Sequence, residues 1–222
     1  MIRLQNVSKT YKPDISVLKK INLHIKPGEF VSVVGQSGTG KTTLVKTLIG
    51  EERIDTGKVI VGGWDITNIR QSEIPILRRQ IGVVFQDFKL LPKKTLFENI
   101  AFALQVCGQS QKKIDAIVPQ VMRIVGLEGK MHRYPQEVSG GEQQRAVIAR
   151  SLVHRPKILL ADEPTGNLDP KTGETVFNLI REMNQVFGLT TVMVTHNYEL
   201  ARQMDRCLTL LNGKLVESGI IT

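Results

Sequence analysis

The pattern of apolar and polar residues predicts strands over the first sixty positions of the chain. Residues 2–7 alternate between apolar and polar side chains, and residues 17–25 do so more loosely before a turn at Pro27-Gly28. Further short runs of apolar, strand-forming residues lie at positions 30–34, 58–61 and 81–85. This beginning is typical of a sheet that buries one face.

From residue 95 to about residue 153, the apolar residues recur with a helical period instead. Two capping boxes, Thr95 to Glu98 and Ser139 to Glu142, each predict the start of a helix. A helix between them carries Pro119, which must either kink it or reset its start. The middle of the chain is therefore predicted to be mostly helical.

Strands and helices alternate again in the last third of the chain. In order, the elements are a strand at 158–161, a helix opened by Asp169-Pro170 and ended by Gly188, a strand at 191–194, and a hairpin around Asn212-Gly213. Alternation of this kind predicts an α/β fold with a mostly parallel core sheet. We expect antiparallel strands at its N-terminal edge, a helical insertion, and a nucleotide at the carboxyl ends of the parallel strands.

Bulk properties narrow the class of protein. No apolar run approaches the ~20 residues that span a bilayer, and the N-terminus lacks the apolar stretch of a signal peptide. We therefore expect the chain in the cytosol, or at a membrane only through a partner. Cys107 and Cys207 have apolar neighbours and no metal-ligand spacing, so buried, reduced thiols are expected.

The net charge of +9 arises from 30 basic and 21 acidic residues. A solvated basic surface, an anionic membrane surface and nucleic acid all remain open as explanations. No aromatic residues are interleaved with the basic doublets, which argues against a platform for stacking single strands. Charge alone does not decide between these partners.

The most informative stretch is Gly35-Gln36-Ser37-Gly38-Thr39-Gly40-Lys41-Thr42, which fits the phosphate-binding pattern G-x-x-x-x-G-K-[ST] at every fixed position. It lies between a predicted strand and a predicted helix, where backbone N–H groups and the helix dipole favour an anion. Lys41 is predicted to reach the outer phosphates, and the Thr42 hydroxyl to bind Mg²⁺. The chain is therefore predicted to bind a nucleoside triphosphate.

A second acidic feature accompanies this loop. Residues 157–163 form an apolar strand that ends in Asp162 and Glu163. Phosphoryl transfer to water needs a metal that neutralises charge and a group that orients or deprotonates the water. Asp162 is placed to hold Mg²⁺, directly or through water, and Glu163 is a candidate general base.

These segments resemble the ATP-binding cassette family over nearly the whole chain. Its signature, usually Leu-Ser-Gly-Gly-Gln, is similar to Val138-Ser139-Gly140-Gly141-Glu142, with Val for Leu and Glu for Gln. The resemblance implies a P-loop NTPase fold and ATPase activity. It also implies a head-to-tail homodimer, in which the signature of one subunit faces the ATP bound to the other.

The resemblance also assigns roles to single residues. Tyr11 resembles the aromatic that stacks on adenine, Gln86 the glutamine that contacts Mg²⁺ and the attacking water, and His196 the histidine at the γ-phosphate. Asp169 takes the usual place in the loop that crosses the dimer interface. Without the resemblance, Tyr11 and His196 would be ordinary structural residues.

Three sets of site residues follow. The residues predicted to bind ATP are Tyr11, Gly35, Gln36, Ser37, Gly38, Thr39, Gly40, Lys41, Thr42, Thr43, Ser139, Gly140, Gly141 and Asp169. The residues predicted to act in hydrolysis are Glu163, His196, Gln86 and Lys41. The residues predicted to hold Mg²⁺ are Thr42, Gln86 and Asp162.

The segment 85–104 resembles the bacterial cell-division branch of the family more than its lipoprotein-release and macrolide-efflux branches. We expect one ATPase domain, with a catalytic core at 1–86 and 156–222 and a helical subdomain at 87–155. In the family, the boundary between the catalytic core and the helical subdomain contacts an integral, permease-like membrane partner. Such a partner would place the chain on the cytoplasmic face of the inner membrane.

Four residues of the boundary, Phe88, Leu90, Leu91 and Pro92, lie either in the core or on the partner surface, and Phe88 is expected to be the most exposed. Two other functions stay open at this point. One is a subunit of a lipoprotein or drug transporter. The other is a soluble nucleic-acid or ribosome factor, which the single cassette and the lack of a long coiled-coil insertion disfavour, so no nucleic acid is expected.

Overall fold

The structure is a computed structural model that describes residues 1–11 and 13–217. The strands are β1 (Ile2–Tyr11), β2 (Ile15–Ile25), β3 (Phe30–Val34), β4 (Thr56–Val61), β5 (Trp64–Asp65), β6 (Ile81–Val84), β7 (Ile158–Asp162), β8 (Thr190–Thr195), β9 (Arg206–Leu211) and β10 (Lys214–Glu217). The helices are α1 (Lys41–Leu48), α2 (Ile74–Arg78), α3 (Leu96–Val106), α4 (Gln111–Ile124), α5 (Gly140–Leu152), α6 (Pro170–Phe187) and α7 (Tyr198–Ala201). Short 3-10 turns lie at Glu128–Lys130 and Pro135–Glu137.

The strands form two sheets. The N-terminal sheet has the order β2-β1-β4-β5 and is antiparallel. The second sheet has the order β10-β9-β3-β8-β7-β6, in which only the β9–β10 hairpin is antiparallel. Every residue of β3, β7 and β8 is buried, which explains why these strands are mostly apolar and do not alternate. The predicted α/β fold with a mostly parallel core sheet is confirmed.

The helices of the middle segment have a hydrophobic core of their own. This cluster runs from Leu96 to Val153 and is built by α3, α4 and α5. Both predicted capping boxes are present at the starts of α3 and α5. Helix α4 continues across Pro119, so the proline does not reset its start. The division into a catalytic core and a helical subdomain at residues 87–155 stays a prediction.

Two expectations about burial are wrong. Cys107 and Cys207 are free, but they are half-buried and not buried. Phe88 is half-buried and packs against the core cluster around Phe177, whereas Leu91 is 38% exposed. The backbone explains the second correction: φ is 56° at Phe88 and 48° at Lys89, so the chain turns sharply here and places the Phe88 ring beside α5.

In the portion of the chain that the structure describes, none of the helices combines the length and the apolar character needed to cross a bilayer.

Candidate nucleotide site

The parallel strands bring the candidate residues to one edge of the sheet. Strand β3 leads into the phosphate loop, β8 into His196, β7 into Glu163, and β6 toward Gln86. Because these strands are neighbours in the order β3-β8-β7-β6, their carboxyl ends lie side by side. This edge is where open α/β sheets bind ligands.

The phosphate loop requires its glycines for two separate reasons. Gly40 has φ of 101°, and a Cβ there would lie 2.8 Å from the carbonyl oxygen of Val17. A Cβ on Gly35 would lie 2.7 Å from the carbonyl oxygen of Leu210. Gly40 is also the N-cap of α1, and no side chain caps this helix. Within residues 1–11 and 13–217, the backbone N–H groups of Lys41 and Thr42 donate to no backbone carbonyl, which leaves them available to an anion.

The ammonium group of Lys41 lies inside the loop. Lys41 is 7% exposed, and its Nζ donates to the carbonyl oxygens of Gly35 at 2.8 Å and Gln36 at 3.0 Å. The same Nζ lies 3.5 Å from Oε1 of Glu163. A buried ammonium group is tolerated because these oxygens surround it.

Glu163 lies between Lys41 and His196. Its Oε2 is 2.8 Å from Nδ1 of His196 and accepts a hydrogen bond from the His196 backbone N–H at 3.2 Å. The φ angle of Glu163 is 51°, which is rare for a residue with a side chain. Such a conformation is kept only where the surrounding contacts determine it, and it occurs often at functional sites. The other carboxylate oxygen faces Lys41, so both oxygens of Glu163 are held in position.

Asp162 and Thr42 form a pair of oxygen ligands next to this group. The Thr42 hydroxyl donates to Oδ1 of Asp162 at 3.4 Å. Burial raises the pKa of the Asp162 carboxyl above its ordinary value. A hydroxyl and a carboxylate fit the oxygen preference of Mg²⁺, and a cation here would offset the cost of burying the charged carboxylate.

Tyr11 and Gln86 lie at the margins of the site. The Tyr11 hydroxyl is 3.4 Å from the hydroxyl of Thr43, so the ring lies beside the first turn of α1. The Gln86 side chain points to Asn167: its Nε2 donates to Oδ1 at 3.2 Å, and the Asn167 amide donates to the Gln86 carbonyl at 2.9 Å. Gln86 is therefore held by the loop after β7. The predicted contact between Gln86 and Mg²⁺ stays a prediction.

The signature end of α5 forms a separate group of residues. Ser139 accepts a hydrogen bond from the Glu142 backbone N–H at 3.3 Å, and the Glu142 carboxylate accepts one from the Ser139 N–H at 2.9 Å. A Cβ on Gly141 would lie 2.4 Å from the side chain of Thr172, so α5 and the start of α6 touch here. Asp169 caps α6 by accepting from the Thr172 N–H at 3.0 Å. The resemblance places this group against the ATP bound to another subunit, and that arrangement stays a prediction.

Three connecting side chains were not identified from the sequence. Asn167 holds Gln86, as described above. Gln144 of α5 is fully buried, and its Nε2 donates to the carbonyl of Pro164, just after Glu163. Arg150 donates to the carbonyls of Phe88 and Lys89 at 3.1 and 2.7 Å. Burial lowers the pKa of Arg150. Asn167 lies two residues before Asp169, in the loop that the resemblance assigns to the dimer interface, whereas a lone Gln or Arg on a helix gives no signal.

Comparison with protein families identifies the family of the chain. A family model described as "ABC transporter" matches residues 18–166, which is more than half of the chain and includes the phosphate loop, the signature and the end of β7. The chain belongs to the ABC transporter family. The chain is therefore an ATP-binding ATPase.

Relatives within the family are similar over nearly the whole chain. The chain is 46% identical to the cell division ATP-binding protein FtsE of Bacillus subtilis over 221 residues, covering 100% of this chain and 94% of that protein. It is 38% identical over 222 residues to the methionine import ATP-binding protein MetN of Helicobacter acinonychis, covering 100% of this chain and 68% of MetN. The chain is thus an ABC ATPase that resembles FtsE.

A solved structure matches the fold as well. It is an ATP-binding cassette captured as a dimer in a post-hydrolysis state with ADP and Pi, 36% identical to this chain. The match has a TM-score of 0.88 and covers 97% of this chain and 96% of that one.

Proposed function

We propose that this ABC ATPase dimerises around ATP and uses hydrolysis to change the conformation of an integral membrane partner, in a cell-division complex of the FtsEX type. The observation that supports the hydrolytic step best is Glu163, whose two carboxylate oxygens face Lys41 and His196 at the end of the phosphate loop. The similarity to FtsE supports the cell-division role.

The residues divide the chemistry between them. The free N–H groups of α1 and the Lys41 ammonium bind the outer phosphates, since both present positive charge to one point. Mg²⁺, held by Thr42 and Asp162, would supply charge neutralisation at the phosphates. Glu163 accepts a hydrogen bond from the attacking water and takes its proton while the γ-phosphoryl leaves ADP for the water oxygen. His196 holds the Glu163 carboxylate in orientation.

The second half of each site comes from another copy of the chain. Ser139, Gly140 and Gly141 form a second glycine-rich helix start, whose N–H groups suit a phosphate. In a head-to-tail dimer, this group of one chain would face the phosphate loop of the other and so complete both sites. The dimeric state of the structural relative supports this arrangement.

The variant Glu163→Gln tests the proposal. Because the amide keeps the shape of the carboxylate but cannot take a proton, we expect ATP binding to be retained and hydrolysis to fall by about 10²–10⁴-fold. ATP and Mg²⁺ should then hold the variant as a dimer in size-exclusion chromatography. Glu199→Gln, at an exposed position of helix α7, is the matched control and should behave as the unaltered chain does. A monomeric Glu163→Gln protein that still hydrolyses ATP would refute the proposal.

The membrane partner is proposed to contact the segment after Gln86. Leu91, exposed beside the half-buried Phe88, is the better apolar anchor of the two. Attachment to an FtsX-like partner would make the chain peripheral on the cytoplasmic face of the inner membrane, and the net charge of +9 favours an anionic lipid surface.

Two variants separate the candidate anchors. Leu91→Ala is expected to weaken co-purification with the partner while leaving ATPase activity and melting temperature near normal. Phe88→Ala is expected to lower stability by about 3 kcal/mol, since it removes a packed ring. Normal co-purification of Leu91→Ala would place the contact elsewhere.

Transport is the second candidate function, and the 38% identity to MetN favours it. Reconstitution with an FtsX-like protein and with the permease subunit of a lipoprotein-release or macrolide-type transporter distinguishes the two. Stimulation of the ATPase by the permease alone would favour transport.

A further inference from the structure

The signature carries a negative charge at the start of its helix. Glu142 stands where the family signature usually has glutamine, and its Oε2 accepts hydrogen bonds from the N–H and the hydroxyl of Ser139 at 2.9 and 3.1 Å. These hydrogen bonds keep the pKa of the Glu142 carboxyl below its ordinary value, so the group is charged at neutral pH. Glutamine in this place would make similar contacts without the charge.

This charge opposes the proposed role of the same helix start. In the head-to-tail dimer, Ser139 and the two glycines meet the γ-phosphate bound by the other subunit. A carboxylate one turn into α5 repels that phosphate, and the repulsion grows as closure of the dimer removes water between them. Two signatures per dimer double the effect.

A single lysine offsets the charge. The Nζ of Lys130 lies 3.5 Å from Oε1 of Glu142, the oxygen that does not bind Ser139. Lys130 lies on the 3-10 turn Glu128–Lys130, outside α5, so Lys130 and Glu142 are not an i,i+4 pair within one helix. Glu142 is the less exposed partner, with a side chain 20% exposed against 44% for Lys130.

We propose that Lys130 is a positioning residue for ATP-driven dimerisation, which neutralises Glu142 and keeps its carboxylate turned away from the incoming phosphate. The inference rests on the proposed head-to-tail dimer. A signature with glutamate thus requires a paired cation, whereas a signature with glutamine does not. Lys130 touches no substrate and acts only through Glu142.

The structure offers a matched control in α3. Its capping box joins Thr95 and Glu98, and Lys94 lies 3.4 Å from Oε1 of Glu98. Cap, carboxylate and lysine are thus present as at the signature, with the lysine here in an i,i+4 pair, at a helix start that is not proposed to meet ATP. Any effect common to Lys94→Gln and Lys130→Gln would reflect helix capping and not dimerisation.

The experiment measures ATP-dependent dimerisation by analytical ultracentrifugation in the Glu163→Gln background. Lys130→Gln is expected to raise the dimer dissociation constant about five- to tenfold at low salt, an amount typical of losing one or two partly exposed ion pairs. The loss should shrink as ionic strength rises. Lys130→Arg should restore dimerisation, and Lys94→Gln should leave it unchanged.

The decisive variant is Glu142→Gln. In that background Lys130→Gln should have no effect, since there is no charge left to neutralise. An equal effect of Lys130→Gln with Glu142 and with Gln at position 142, or no effect in either, would overturn the inference while leaving the dimer itself intact. Absence of any dimer in Glu163→Gln alone would overturn the dimer proposal and this inference together.

Discussion

The two glycine-rich helix starts of this protein look alike in sequence and differ in structure. At α1, the N-cap is Gly40 and no side chain caps the helix. At α5, the N-cap is Ser139, whose hydroxyl accepts a hydrogen bond from the Glu142 N–H in a capping box. The start of α1 therefore has no side-chain cap, while the start of α5 is capped from within the chain before any phosphate arrives.

This difference shows how a glycine-rich helix start can either be left open to a ligand or be capped by its own side chains. A helix start binds an anion only through N–H groups that are not already bonded. Gly40 has no side chain that could accept from these N–H groups, so the first turn of α1 is left open to a ligand. Ser139 and Glu142 stabilise α5 by themselves, which suits a surface that would meet phosphate only during part of a cycle.

The largest expected effect is the loss of ATP affinity when the cation of the α1 site is removed. Lys41→Ala is expected to lower ATP affinity about 100-fold or more, because two or more charge-assisted hydrogen bonds to phosphate are lost. Isothermal titration calorimetry with ATP measures it. Lys46→Ala is the control: this lysine is on the same helix but pairs with Glu51 at the surface, so affinity should not change. Unchanged ATP affinity in Lys41→Ala would contradict the assignment of this loop as the phosphate-binding site.

The next effect concerns the backbone of the α1 loop. Gly40→Ala introduces a Cβ 2.8 Å from the Val17 carbonyl at a φ of 101°, and we expect it to destabilise the fold by about 2–4 kcal/mol. Gly38→Ala is the matched variant, because Gly38 has φ of 80° and no atom within 4 Å. It should cost only about 1 kcal/mol. Urea unfolding compares the two, and equal costs would show that the close approach to Val17 is unimportant.

The smallest effect is a difference in pH dependence between the two regions. Hydrogen bonding lowers the pKa of Glu142, so its contribution to stability is present above its ordinary pKa of about 4 and is lost as the pH falls through the lowered value. Burial raises the pKa of Asp162, so its contribution is present at low pH and is lost as the pH rises through the raised value.

Two amide variants measure this difference. At pH 7.5 we expect Glu142→Gln to destabilise the protein by about 0.5–1 kcal/mol, and Asp162→Asn to stabilise it in the absence of nucleotide. The Asp162→Asn difference should shrink as the pH falls toward 4, because the raised pKa protonates the native carboxyl in that range. The Glu142→Gln difference should shrink only as the pH falls below about 4, through the lowered pKa. Unfolding curves measured from pH 7.5 to below pH 4 test this, and changes of the same sign in both variants at pH 7.5 would contradict it.

Much of the fold was predictable because local signals agreed with the burial pattern. The capping boxes at Thr95 and Ser139, the Asn212-Gly213 turn and the buried strands β3, β7 and β8 were all read from the sequence. Phe88 was misjudged because its exposure depends on a left-handed turn whose carbonyls Arg150 holds. No local pattern specifies contacts between residues more than sixty positions apart.

The sequence alone determined the phosphate loop, the acidic pair after β7 and the family resemblance, because each depends on residue types at fixed local spacing. The tertiary structure decided which of these groups meet. Strand order placed Glu163 between Lys41 and His196 and directed Gln86 to Asn167. Packing of the turn Glu128–Lys130 against α5 set Lys130 beside Glu142. None of these contacts follows a helix or strand period, so packing of the sheet and helices selects them and local spacing does not.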